Sequence, residues 1–204
     1  MTERTIFMFR HGETDWNKER RWQGQIDVEL NESGRKQANA LSEAAMDWRI
    51  EGIISSDLSR AADTALVVAQ RLGVPLEFDV DLREGNFGKA EGMTKDEIIA
   101  KYGLDFLRRW KSLEDRHLDL GFPSGETRRE ILIRFKHCLD RIFGRVNWQR
   151  FALSTHGSIL KHFVLSVDPN FVVPAPIPNC SVFEVKFNES TGQFKIVQMH
   201  CLPV

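Results

Sequence analysis

The stretch TIFMFRHGETDWN, residues 5–17, runs from a mostly apolar segment straight into Arg10-His11-Gly12-Glu13. An apolar run of that length reads as a buried strand, whereas Arg, His and Glu together resist burial unless they have partners. A ligand at the end of the strand would supply those partners. Working outward, two further runs have the same form: GIIS at 52–55 and FALS at 151–154. Each of the three is followed by a helical pattern, which predicts a largely parallel sheet with crossover helices.

The helices announce themselves by their ends. Asn31 is a good N-cap for a helix with Ala38, Leu41, Ala45 and Trp48 on one face. A second is predicted over Asp57–Leu72, striped by Leu58, Ala61, Ala65, Ala69 and Leu72 and stopped by Gly73 and Pro75. Thr94 and Glu97 have capping-box spacing for a helix toward Tyr102. A longer helix that buries Ile131, Phe135, Leu139 and Ile142 is expected after the PSGET turn, and Ser124, Gly125 and Glu126 are read as a helix start whose backbone N–H could face a substrate. SVFEVKF and QFKIVQM, joined by NESTG, alternate as an antiparallel hairpin. The predicted fold is α/β: a three-layer α/β/α sandwich with a mostly parallel central sheet and an antiparallel edge.

The chain has 204 residues, enough for one domain over 1–204 with a sizeable core. Its net charge of −1 excludes a non-specific nucleic-acid or polybasic membrane binder, so any site for an anion must be local. The three cysteines, Cys138, Cys180 and Cys201, are widely spaced and suit a reducing compartment. No signal-peptide core or long apolar span is present, and a cytoplasmic location is the expectation. No carboxylate cluster or HxH pair suggests a metal, and no cofactor is implied.

Open parallel sheets bind ligands beyond the carboxyl ends of their strands. Those ends carry Arg10-His11, Arg60 just inside the next helix, and His156, with RHG at 10–12 echoed by THG at 155–157. Two arginines and two histidines converging there make a pocket for a dianion, and phosphate matches the guanidinium fork. Singly, each residue has an ordinary reading: Arg60 as a surface charge, Glu84 as a solvated acid, Asn17 as a turn or cap. The conjunction carries the functional one.

FRHGETDWN with SSDLSRAADTA, LREGNFGKAEG and STHGS resembles the histidine phosphatase superfamily, the phosphoglycerate mutase-like proteins. The resemblance runs from about Thr5 to Ser181 and takes in RWQGQIDVELNESGRKQA (21–38), PSGET (123–127) and PNCSV (178–182). It implies His11 as the phosphoryl-accepting nucleophile, Glu84 as general acid, and Arg10, Arg60 and His156 as the groups holding the phosphoryl oxygens. Asn17 matches a further amide contact; Arg21, Gln23 and Gly24 fall in a substrate-side segment. The implied partner is a small phosphorylated substrate, with a homodimer left open. Phe87, Trp22 and Trp110 are candidates for a pocket wall, although aromatics are more often core.

The short stretch between Glu84 and PSGET, a variable lid at about 85–122, and the absence of a Tyr-containing acid loop resemble the compact phosphatase branch rather than the mutases. A phosphoglycerate mutase-type phosphotransferase and a silent phospholigand binder are the alternatives. Ala90 stands where that branch commonly has Trp.

Overall fold

A computed structural model describes residues 3–112 and 114–201. The extreme ends of the expected 1–204 domain, and position 113 inside the expected lid, lie outside them. Six strands form one sheet: β1 (Glu3–Arg10), β2 (Ile53–Ser55), β3 (Leu76–Phe78), β4 (Arg150–Thr155), β5 (Val182–Asn188) and β6 (Gln193–His200). Their spatial order is β3-β2-β4-β1-β5-β6. β1, β4, β2 and β3 pair in parallel, and β5 and β6 close the other side antiparallel.

Among the described residues seven α-helices connect them: α1 (Asp15–Lys18), α2 (Glu32–Ala44), α3 (Ser59–Leu72), α4 (Lys95–Tyr102), α5 (Leu104–Lys111), α6 (Arg128–Arg145) and α7 (Gly157–Val167). The period-two alternation of β1 builds the layers. Phe7 and Phe9 pack with Leu41 of α2 and Ala65, Val68 and Ala69 of α3. Ile6 and Met8 pack on the opposite face with Ile131, Phe135 and Leu139 of α6 and Leu160 and Phe163 of α7. Each large apolar side chain so buried stabilises the fold by about 1.5–3 kcal/mol, which pins the register of β1 against slippage. The three-layer sandwich is the architecture found. Among the described residues no helix is long and apolar enough to cross a membrane.

The caps explain most helix boundaries. The Asn31 side chain accepts from Gly34 N–H at the start of α2, and Thr94 and Glu97 form the expected reciprocal box before α4. Gly73 ends α3 at φ 66°, a left-handed conformation suited to glycine. Two expectations shift. α3 starts at Ser59 rather than Asp57, because Leu58 is extended and the Asp57 carboxylate pairs with Arg83 at 2.5 Å. α6 follows PSGET as expected, starting at Arg128, but Ser124–Glu126 themselves start no helix: Thr127 and Glu130 form its capping box, and Ser124 sits at φ 62°.

Candidate active site

Register brings the catalytic candidates together. Arg10 of β1 pairs with Thr155 of β4, and Ser55 of β2 pairs with Ser154, so the three strands end level. His11 and His156 each follow directly, and their ring centroids lie 5.1 Å apart. Both are buried. His11 N–H donates to Thr155 O at 3.1 Å, extending the ladder beyond the end of β1 and fixing where the ring leaves the strand.

His11 Nδ1 lies 2.7 Å from the Gly12 carbonyl. A carbonyl only accepts, so Nδ1 carries the proton and Nε2 presents its lone pair. The His11 pKa is held well below the usual imidazole value, first by burial and then by the Arg60 and Arg10 charges. Sequence reasoning named the charges; burial is the larger cause. Gly12 is fixed in turn, since its N–H donates to Thr64 Oγ1 at 3.0 Å and that hydroxyl donates to Arg60 O at 2.7 Å.

Arg60 is wholly buried on the first turn of α3. Its Nη1 donates to Ile26 O at 2.9 Å and its Nη2 to Gly24 O at 2.7 Å, while Nε has no partner. Arg10 is held by the Ile177 carbonyl through Nη1, and its Nε is likewise without one. Burial lowers both guanidinium pKa values, that of Arg60 to about 10, and both stay charged at neutral pH. His156 Nε2 meets Ser56 Oγ at 2.9 Å. That hydroxyl accepts from Leu58 N–H and has no other acceptor among the described residues. Donation to Nε2 satisfies it and puts the ring proton on Nδ1, which is buried and unpartnered. Arg10 Nε–H, Arg60 Nε–H and His156 Nδ1–H are therefore three buried donors short of an acceptor, on residues that neighbour the His11 ring and its free Nε2 lone pair. Unmet buried donors are costly, and an oxyanion would satisfy them.

Glu84 is buried against the start of α7. Its Oε2 accepts from Ser158 N–H at 2.9 Å, and its Oε1 from Gly85 N–H at 3.0 Å and Ile159 N–H at 3.1 Å. Burial raises its pKa, and these N–H groups with the Arg60 charge only partly oppose the rise. The loop that carries it is wired down by Arg134, which donates to the carbonyls of Asp81 (2.7 Å), Arg83 (3.0 Å) and Glu84 (3.2 Å) and forks onto Glu126.

The substrate-side candidates divide. Asn17 lies in the α1 capping box: its Oδ1 accepts from Thr14 N–H at 3.1 Å and Asn179 Nδ2 at 3.1 Å. Gln23 is buried with Oε1 unpartnered. Gly24 positions Arg60 through its carbonyl, and at φ 54° a Cβ there would strike the Glu91 carboxylate. Arg21 is half-exposed and engaged by Glu19 at 2.7 Å and Gly92 O at 2.9 Å. Trp22, Phe87, Trp110 and Phe122 interlock in edge-to-face and tilted contacts with centroids 4.9–5.6 Å apart. Ala90 is fully buried in the core cluster that these rings share.

Sequence reasoning gave no role to Asn179, Ser56, Thr64 or Arg134. Asn179 Nδ2 donates to His11 O at 3.0 Å as well as to Asn17. The signal was present for three of the four, which lie within the family-like segments PNCSV and SSDLSRAADTA.

A family model described as the histidine phosphatase superfamily (branch 1) matches residues 6–200. The chain belongs to the histidine phosphatase superfamily. It is 33% identical over 180 residues to phosphoglycerate mutase-like protein 4 of Arabidopsis thaliana, covering 87% of this chain and 76% of that one. It is also 33% identical over 192 residues to a probable phosphoglycerate mutase, GpmB, of Escherichia coli, covering 91% and 86%. Among solved structures, a mycobacterial glucosyl-3-phosphoglycerate phosphatase complexed with VO3 superposes with a TM-score of 0.82 at 26% identity, over 96% of this chain and 98% of that one. Superfamily members with this fold are phosphatases or mutases.

Proposed function

We propose that this protein is a metal-independent phosphomonoester hydrolase that works through a phosphohistidine on His11, with a small phosphorylated metabolite as substrate. The observation that carries the reading is the His11 ring: Nδ1 is committed to Gly12 O, leaving Nε2 beside three unpartnered buried donors. Nε2 attacks phosphorus, and the phosphoryl oxygens take the N–H groups of Arg10, Arg60 and His156, which stabilise charge without moving. Glu84, whose pKa burial raises above the ordinary carboxylate value, gives its proton to the leaving oxygen. As the carboxylate it then takes a proton from the water that attacks phosphohistidine, and inorganic phosphate leaves. The phosphatase among the structural neighbours supports hydrolysis as the outcome, and the mutase names among the relatives support a shared first half-reaction.

The test is turnover of p-nitrophenyl phosphate together with acid-quench labelling, in wild type and His11→Ala. Turnover and an acid-labile, base-stable phosphoprotein confined to the wild type are the expected results. Turnover surviving in His11→Ala would overturn the nucleophile assignment. Discharge of the phosphoenzyme to a second hydroxyl substrate faster than to water would make the protein a mutase.

A further inference from the structure

Glu84 is held at both ends, by different elements. Its carboxyl group caps α7. His156, at the N-cap position, makes no side-chain cap bond there, and Ser158 and Ile159 N–H donate instead to Glu84 Oε2 at 2.9 Å and Oε1 at 3.1 Å. Ser158 Oγ in turn lies 3.5 Å from His162 Nδ1, and His162 Nε2 is 3.4 Å from Arg128 Nη1. Because a guanidinium only donates, His162 accepts there and is neutral, so it brings no charge to the acid.

The backbone of Glu84 has no regular structure to hold it. Residues 83–87 lie between two short 3-10 turns, Val80–Leu82 and Gly88–Ala90, and carbonyls in such a segment must find donors elsewhere. Arg134 of α6 supplies them. Its Nη1 donates to Asp81 O at 2.7 Å and Arg83 O at 3.0 Å, and its Nη2 to Glu84 O at 3.2 Å and Glu126 Oε2 at 2.9 Å. Its Nε donates to Glu126 Oε1 at 2.7 Å. These bonds use all five N–H groups of the guanidinium. A lysine, with three donors at a single point, cannot reproduce them.

The same fork closes the base of the lid. Glu126 N–H donates to Asn86 O at 2.7 Å, Glu126 Oε2 accepts from Asn86 N–H at 2.8 Å, and Lys89 N–H donates to Pro123 O at 3.0 Å. The approach is close, since a Cβ at Gly125 would lie 2.7 Å from Asn86 O. The chain between Glu84 and PSGET thus leaves and returns through one hydrogen-bonded neck, and Arg134 joins that neck to the acid. We propose that Arg134, with Glu126, is a positioning residue for the acid step: it locks the neck of the lid and so keeps the Glu84 carboxyl group docked on α7. This rests on the reading of Glu84 as the general acid. Without the fork, Glu84 moves with the lid and leaves the first turn of α7.

The test uses Arg134→Lys, which keeps the positive charge and breaks the fork. Amide hydrogen exchange by NMR reads the docking directly, because Ser158 and Ile159 N–H have Glu84 as their acceptor. In the variant these two amides exchange about tenfold faster or more, while Leu160–Val164 of the same helix stay within about threefold of wild type. Turnover reads the consequence through kcat/KM, which reports the phosphorylation step. The value for phenyl phosphate, whose leaving oxygen needs the proton, falls about 10- to 100-fold, the cost of a misplaced catalytic group. That for p-nitrophenyl phosphate falls by no more than about threefold. Glu126→Gln shifts both readouts in the same direction and serves if the first variant fails to fold. Unchanged exchange at Ser158 and Ile159, or faster exchange spread evenly along α7, overturns the proposal and leaves Arg134 as ordinary framework. Selective exchange with equal losses on the two esters would instead defeat Glu84 as the acid and spare the docking.

Discussion

Ser158 N–H donates to Glu84 Oε2 at 2.9 Å, and through that bond the acid is docked on the first turn of the helix that His156 caps. A helix N-terminus favours a carboxylate, and burial favours the carboxylic acid. Burial is the stronger influence, and the Glu84 pKa lies above the ordinary carboxylate value, the direction a proton donor needs.

Glu84→Gln is therefore expected to lower kcat by about 10²- to 10⁴-fold on alkyl phosphates, the usual worth of a positioned acid. The phosphorylation step should suffer less with p-nitrophenyl phosphate, whose leaving group needs no proton. The pH profile follows the same logic. Activity falls as pH rises through the raised Glu84 pKa, while the limb for protonation of His11 lies well to the acid side. A kcat/KM that climbs steadily to pH 9 in wild type would contradict the assignment.

Asn179→Ala tests positioning rather than chemistry. The side chain ties His11 O at 3.0 Å to Asn17 Oδ1 at 3.1 Å, bridging the end of β1 to the α1 cap. Losing two hydrogen bonds of this kind should reduce kcat about tenfold with little change in the pH profile. A shifted profile would mean that Asn179 also sets the ionisation of the site.

Gly34→Ala should be disproportionately damaging for a helix position. A Cβ at Gly34 would lie 2.1 Å from the Glu13 carbonyl oxygen, so the RHGE loop and α2 cannot both stay in place. The expected destabilisation is about 1–3 kcal/mol, read from denaturant midpoints, with activity lost along with the loop geometry. Neutral behaviour in both measurements would show that the two segments pack less closely.

The contrast between these residues shows what the sequence made legible. Asn31, the Thr94–Glu97 box and the Phe183–Val185–Phe187 alternation are local signals, and each was readable because cap and strand energetics act over a few residues. The RHG and THG tripeptides were readable as a site because parallel strands deliver their carboxyl ends to one line. β3 was missed: three residues, Leu76–Phe78, have no room to alternate, and they are a strand because β2 offers an open edge. Arg134, Asn179 and the buried Arg128 were illegible for another reason. Their meaning lies in partners far along the chain, and an arginine in a helical run looks solvated until a neighbouring helix covers it.

His162→Gln gives a prediction with a definite sign. His162 is 5% exposed, and burial, Arg128 and Lys161 push its pKa down to about 3, against about 6.5 for an unfolded chain. Below pH 6.5 the unfolded chain takes up a proton that the folded protein refuses. The stabilising contribution is thus complete above pH 6.5 and is lost as pH falls. Between pH 6.5 and 5 the loss from this one side chain is about 2 kcal/mol, at 1.36 kcal/mol per pH unit. His11 and His156 act in the same direction, whereas Glu84, with its raised pKa, gains stability on acidification and opposes them. Glutamine retains an acceptor for Arg128 and cannot titrate. The gap in unfolding free energy between pH 7 and pH 5 should therefore shrink by about 2 kcal/mol in His162→Gln, measured by urea denaturation at both pH values. An unchanged gap would show that His162 titrates normally in the fold, and the neutral acceptor for Arg128 inferred from the 3.4 Å contact would be lost with it.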